Sequence, residues 1–272
     1  NKSITHDAWR LWDGGNSLAT VFRKQDYLDW YNGKGYRAAG FVHIKNYISI
    51  GAEYNQVAQS KMNNVLEGDK FREAYHIQEG DNIYYKTIVS AGYPVELSVR
   101  DKFQMYTTMI RTSSMDNSDL DYTYDHLYFN LLIPYAEKLN FNIKTMVGAS
   151  DVDSSIWKPV DGFHQHVFEI GGEGTLRGYG WKEKELTSSH YQLITLETWF
   201  GGVGIFYDRA ILFDSPGNVF NAAFFSDLSD NITQDDKSSM GFILGRKNLR
   251  LSFAKQITDN NNTTIYLTFG TP

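Results

Sequence analysis

Few residues in this 272-residue sequence have types and spacings that could do chemistry. His164-Gln165-His166 sets two imidazoles at alternate positions, so a strand there would present both on one face as half a metal site. No third ligand of suitable spacing stands nearby, and two solvated histidines are the plainer reading. Asp151, Asp153, Ser154 and Ser155 offer oxygens to a hard cation. They lack the glycine and closing glutamate of an EF-hand loop, so a hydrated external loop is expected. His6-Asp7 and the scattered serines form no nucleophile elbow, and no G-x-S-x-G occurs. No enzyme, no metal site and no cofactor are expected. That leaves Arg177, in Gly171-Gly172-Glu173-Gly174-Thr175-Leu176-Arg177-Gly178-Tyr179-Gly180-Trp181. Five glycines within ten residues cannot make an ordinary strand, because glycine brings no packing surface and loses the most backbone entropy on ordering. The spacing is not a dinucleotide fingerprint either. It predicts a compact loop that holds one cation between small residues.

Something must position that loop, and composition narrows what. Aromatics make up 15% of the chain, including 18 Tyr and 17 Phe, yet mean hydropathy is −0.42. No run approaches the roughly 18 apolar residues of a transmembrane helix. A soluble protein fits those values, and so does an outer-membrane barrel, whose strands are apolar only at alternate positions. There is no cysteine, which excludes disulfides and thiolate metal sites. A net charge of −6 with no compensating basic block argues against nucleic acid as a partner. Asn1 is expected to be a mature or truncated start.

Residues 1–31 are expected to be an irregular or short helical segment, with a helix-like pattern from Ser17 to Tyr31. Residues 32–272 are expected to form the β-barrel domain, with the period changing to two from Tyr36. Tyr36, Ala38, Gly40, Val42 and Ile44 share one face, and a turn at Lys45-Asn46 leads into Ile48, Ile50, Ala52 and Tyr54. Further strands are expected near 83–92, 97–112, 124–134, 138–149, 190–200, 203–212, 218–226, 239–246, 248–257 and 263–270. Around Pro134-Tyr135-Ala136-Glu137, Leu127, Phe129, Leu131 and Ile133 oppose His126, Tyr128 and Asn130. Short turns alternate with long polar stretches at 57–82, 113–123 and 150–162, the loop asymmetry of outer-membrane barrels. The expected fold is all-β: an antiparallel transmembrane β-barrel of about 12 strands, or part of a 16-stranded one. The alternative is a soluble β-sandwich that binds a ligand.

Gly174-Thr175-Leu176-Arg177-Gly178-Tyr179 resembles the (V/L)RG(Y/F) motif of the bacterial surface-antigen superfamily of outer-membrane barrels, which comprises BamA/TamA-type insertases, two-partner-secretion transporters and patatin-linked barrels. About five strands follow the motif, as in that family. Leu196-Glu197-Thr198-Trp199-Phe200 resembles its EYRF-type strand, Phe225-Ser226-Asp227-Leu228-Ser229 its FxDxG strand, and Ile265, Leu267, Phe269 and Gly270 its C-terminal assembly strand. Ser229 departs from the family's glycine, Trp199 stands near its arginine, and Thr271-Pro272 replaces the terminal aromatic. The resemblance implies that the glycine loop folds back into the barrel lumen, with Gly174, Leu176, Arg177, Gly178 and Tyr179 at its tip and Arg177 meeting Glu197 and Asp227. The residues allow this, since Glu197 shares a face with Leu193 and Thr195, opposite Ile194 and Leu196. An Arg–carboxylate pair makes fork-like bonds that Lys would not reproduce.

The resemblance also implies a place in the bacterial outer membrane and a role in inserting or translocating polypeptides. Its partners would be the lipid bilayer, client outer-membrane or secreted polypeptides, and periplasmic POTRA or accessory proteins outside this chain. A passive pore, or a membrane anchor for another domain, is the alternative role.

Overall fold

The computed structural model describes residues 2–4, 30–45, 47–61, 79–92, 104–136, 138–151, 168–180, 186–213, 236–246, 249–258 and 262–269. Its strands are β1 (Lys2–Ile4), β2 (Trp30–Ile44), β3 (Ile48–Lys61), β4 (Gly80–Gly92), β5 (Gln104–Ser114), β6 (Thr123–Pro134), β7 (Leu139–Ser150), β8 (Phe168–Glu169), β9 (Thr187–Ser188), β10 (His190–Phe200), β11 (Val203–Phe213), β12 (Asp236–Arg246), β13 (Leu249–Gln256) and β14 (Thr263–Phe269). Twelve of them form one sheet in the order β1 to β7, then β10 to β14. Every ladder in it is antiparallel. β8 and β9 pair separately and carry the glycine loop between them. Among the described residues no ladder joins β1 to β14, so the sheet is not closed.

Alternation explains the strands, and it is inverted relative to a soluble protein. On β10 and β11 the side chains of Leu193, Thr195, Glu197, Phe206, Asp208 and Ala210 are buried, whereas Leu196 and Ile205 are exposed. On β3 the buried positions are Gly51, Glu53, Asn55 and Gln59, while Ile48 and Ile50 are exposed. Phe242, Ile265 and Leu267 continue the apolar exterior round to β14. Apolar side chains outside, with carboxylates, amides and hydroxyls turned inward beside an apolar cluster, is how strands partition when the outer solvent is lipid. No helix among the described residues is long and apolar enough to cross a membrane, which leaves a crossing by strands untouched.

The sheet curls round its own loop. Phe168 of β8 stacks on Tyr124 of β6 at 4.6 Å and lies 4.8 Å from the ring of Tyr191 on β10. Residues 177–179 reach β11, β12, β13 and β14 by hydrogen bonds. A flat sheet could not bring strands that far apart in order to one short segment. Leu120, Tyr122, Met146, Ile170, Leu176 and Leu186 complete the apolar cluster inside.

Several expectations about boundaries change. The sheet takes in Lys2–Ile4 and Trp30–Tyr31, ahead of a start expected at residue 32; the rest of the anticipated helix lies outside the described residues. β3 runs on to Lys61, because its ladder with β4 continues to Gln59 and its ladder with β2 to Lys61, although Gln56, Gln59 and Ser60 are polar. The stretch 113–123 is no loose loop: its turn is tied to β4 through Met115 N–H to Ile83 O and Asp119 N–H to Asp81 O, each 2.8–2.9 Å. Leu120 and Tyr122 are buried there. Residues 97–103 and the strand expected at 218–226 lie outside the described residues, as do Glu137 and Gly270.

Candidate functional site

The loop is shaped by its small residues before any charge enters. Thr175 Oγ1 accepts the Gly171 N–H and donates to the Gly171 carbonyl, both at 2.9 Å. Gly172 N–H donates to Tyr179 O at 3.1 Å, pinching the loop shut. Gly178 sits at φ +92°, a left-handed conformation that costs a residue with a Cβ about 1–2 kcal/mol. An added Cβ would also lie 3.2 Å from the Cβ of Ser239. The outcome is an Arg177 that is only 3% exposed.

A buried guanidinium must be matched. Arg177 Nε and Nη2 donate to the two oxygens of Asp208 at 2.7 Å each, and the Arg177 backbone N–H adds a third bond at 3.2 Å. Nη1 donates to Glu197 Oε1 at 2.8 Å. The other Glu197 oxygen accepts from Trp199 Nε1 at 3.2 Å and Asn142 Nδ2 at 3.4 Å. Beneath lies the Phe206 ring, 3.5 Å from the guanidinium carbon, a cation–π contact. Gly241 makes room for that ring, since a Cβ there would lie 2.7 Å from it. Burial by itself would lower the Arg177 pKa. The Asp208 charge and hydrogen bonds, then Glu197 and Glu173, outweigh that and raise it. One cation thus faces two carboxylates in a dry site, where hydrogen bonds to charged groups are strongest.

Register supplies the geometry. Glu197 pairs with Phe206, and Thr195 with Asp208. Glu197 and Asp208 are therefore diagonal neighbours on one face of β10–β11, about 7–8 Å apart at Cα, a span that a single guanidinium bridges.

Of the residues singled out in the sequence, Leu176, Arg177 and Tyr179 are buried at the loop tip, and Glu197 is one partner of Arg177. Asp227 lies outside the described residues. The carboxylate found in the fork is Asp208, and the sequence held a signal for it. Phe206-Tyr207-Asp208-Arg209-Ala210 has the same Phe-x-Asp-x-small spacing as residues 225–229. Ile265 and Leu267 point outward, 53% and 58% exposed. Asp151 Oδ1 accepts the Thr123 N–H at 2.6 Å, and His164 and His166 lie outside the described residues. Among the described residues no group of three or more acidic or histidine side chains is placed to hold a metal ion.

Glu173 stands on the other side of the loop. Its Oε1 accepts from Ser252 Oγ at 2.9 Å, while Oε2 is buried without a hydrogen bond. Desolvation raises its pKa against the lowering pull of Arg177, the Ser252 bond and Arg250.

No protein-family model and no curated protein matches the sequence. Solved structures do resemble it. BamA from Haemophilus ducreyi, crystallised without POTRA domains 1–3, superposes with a TM-score of 0.55 at 15% identity, over 87% of this chain and 53% of that one. CdiB from Acinetobacter baumannii gives 0.53 at 10% identity, over 88% and 42%. The chain thus spans about half the length of these two structures. At such identities the shared property is the fold, an antiparallel β-barrel of the BamA and CdiB kind.

Proposed function

We propose that this chain is an outer-membrane β-barrel of the BamA/TamA-type superfamily that assists insertion or translocation of polypeptides. The observation that carries the reading is the buried node of Arg177, Glu197 and Asp208, set at the tip of a loop inside a barrel-type sheet. Barrel likeness, the apolar exterior and the (V/L)RG(Y/F) resemblance support it, and with it a location in the bacterial outer membrane. The machinery would be the sheet's edge at β14, which among the described residues has a ladder partner on one side only. Lipid demands a complete hydrogen-bond ladder, so a barrel whose terminal strand is weakly paired offers an edge to an incoming strand.

Purified chain in detergent should run faster unheated than boiled, and Arg177→Ala and Asp208→Ala should weaken the folded band, with Asp227→Ala compared alongside. In proteoliposomes the same chain should speed assembly of an unfolded outer-membrane protein. A shifted band without that acceleration would make the chain a passive barrel or anchor. A chain soluble without detergent and lacking any shift would overturn the membrane reading.

A further inference from the structure

The loop that carries the arginine node grips the sheet's last strand with the next two residues, Gly178 and Tyr179. β14 is hydrogen-bonded along one side to β13, from Leu249↔Phe269 to Lys255↔Thr263. Among the described residues its other side has no ladder partner. From inside, Tyr266 Oη accepts the Gly178 N–H at 2.9 Å and donates to the Tyr179 carbonyl at 2.8 Å. Thr264 Oγ1 donates to the Gly178 carbonyl at 2.9 Å, and Gln256 Nε2 of β13 donates to the same oxygen at 3.0 Å. Tyr179 Oη meets the Ser238 carbonyl at 3.3 Å and Thr258 Oγ1 at 3.2 Å. Arg177, one residue earlier, is fixed to β10 and β11.

We propose that the glycine loop is a latch on terminal strand β14, with Tyr266 as the positioning residue and Thr264 as its second point. The loop works as a strut. Its arginine end is clamped to β10–β11, and the Gly178–Tyr179 backbone is held at the Gly178 N–H, the Gly178 carbonyl and the Tyr179 carbonyl by hydroxyls at alternate positions along β14. Those hydroxyls are Thr264 and Tyr266, which face inward while Ile265 and Leu267 face out. A seated loop holds the edge strand against β13; a displaced loop leaves β14 with its single ladder. An edge loosened in this way is the form that would accept another extended polypeptide strand by backbone pairing. In that last respect the proposal rests on the insertion reading, but the latch itself does not.

The test is amide hydrogen exchange on the full chain folded in detergent, for wild type, Tyr266→Phe, Thr264→Val and Gly178→Ala. Tyr266→Phe removes a donor and an acceptor while keeping the ring. It should speed exchange in peptides spanning 249–269 by about tenfold, since exchange there reports local opening. Peptides spanning 190–213, which carry the arginine node, should keep wild-type rates. Thr264→Val, which has nearly the same volume, should act in the same direction and more weakly. In a Gly178→Ala background, where the loop backbone is displaced, Tyr266→Phe should add nothing further. Uniform acceleration across all strands would mean a merely structural role, and unchanged exchange at 262–269 would mean no latch; either result overturns the proposal. Thr264→Val keeps the test decisive should Tyr266→Phe not fold. A positive exchange result with no client assembly in proteoliposomes would leave the latch standing and remove the insertion reading alone.

Discussion

Arg177 and Arg209 each hold an aspartate with a two-armed contact, yet the two pairs should differ greatly in value. Arg209 Nε and Nη2 reach Asp236 at 2.9 and 2.6 Å, but those side chains are 41% and 34% exposed. In contact with water such a pair is worth about 1 kcal/mol or less, so a small effect requires that this part of the outer face lie at the interface and not in hydrocarbon. In the Arg177–Asp208 pair the exposures are 4% and 0%. Removing one member there strands a buried charge, at a cost of about 3–5 kcal/mol. Denaturant unfolding of the refolded chain should therefore show Arg177→Ala far below wild type and Arg209→Ala close to it. Similar losses in both would mean that water reaches the node. Glu173 predicts a pH dependence of opposite sense to an ion-paired carboxylate. Its folded-state pKa is raised, chiefly by desolvation, so the folded state holds its proton longer than the unfolded chain does. Stability then falls as pH rises from the ordinary carboxylate range through the raised value. Glu173→Gln should abolish that slope and stabilise the barrel at neutral pH, measured as a higher unfolding midpoint. A lower midpoint at neutral pH would show that Arg177 and Arg250 need the negative charge.

Among the elements, what the sequence revealed depended on whether the two strand faces differ in polarity. β6 and β7 were legible because Leu127, Leu131, Ile143 and Val147 alternate with polar residues, and register pairs them as that pattern requires. β3 beyond Tyr54 was not. Gln56, Gln59 and Ser60 are polar whichever way they point, so the stretch resembles a loop although its ladder with β4 continues to Gln59. β11 hid its most consequential residue for a related reason. Asp208 and Arg209 stand side by side, one buried inside and one on the outer face, and adjacent opposite charges obscure a period of two. Glu197 was readable since its neighbours Ile194 and Leu196 mark the outside. The contacts of Tyr266 with the loop had no sequence signature at all. A lumen tyrosine looks like any aromatic of a barrel girdle, and only register brings it to Gly178, 88 residues away.

At the scale of the whole molecule, the partition of surfaces is itself testable, because the two possible outer solvents assign opposite values to one substitution. Leu196 lies on the outer face of β10, 44% exposed, between Ile143 on β7 and Tyr207 on β11. In water, replacing so exposed a leucine by arginine would change stability by about 0.5 kcal/mol or less. Facing hydrocarbon near the bilayer midplane, the same change should cost about 2–4 kcal/mol. Leu196→Arg refolded into lipid vesicles should therefore unfold at clearly lower denaturant than wild type. Thr198→Arg, one pleat nearer the short Phe200–Val203 turn, should cost less, because a long cationic side chain there can reach the interface. A gradient of this kind cannot come from packing between side chains, since both positions point away from the core. It requires a solvent whose polarity changes along the strand, which only a membrane provides. Equal and negligible effects at the two positions would return the chain to water, and the apolar face outside would then need a second sheet or a partner to cover it.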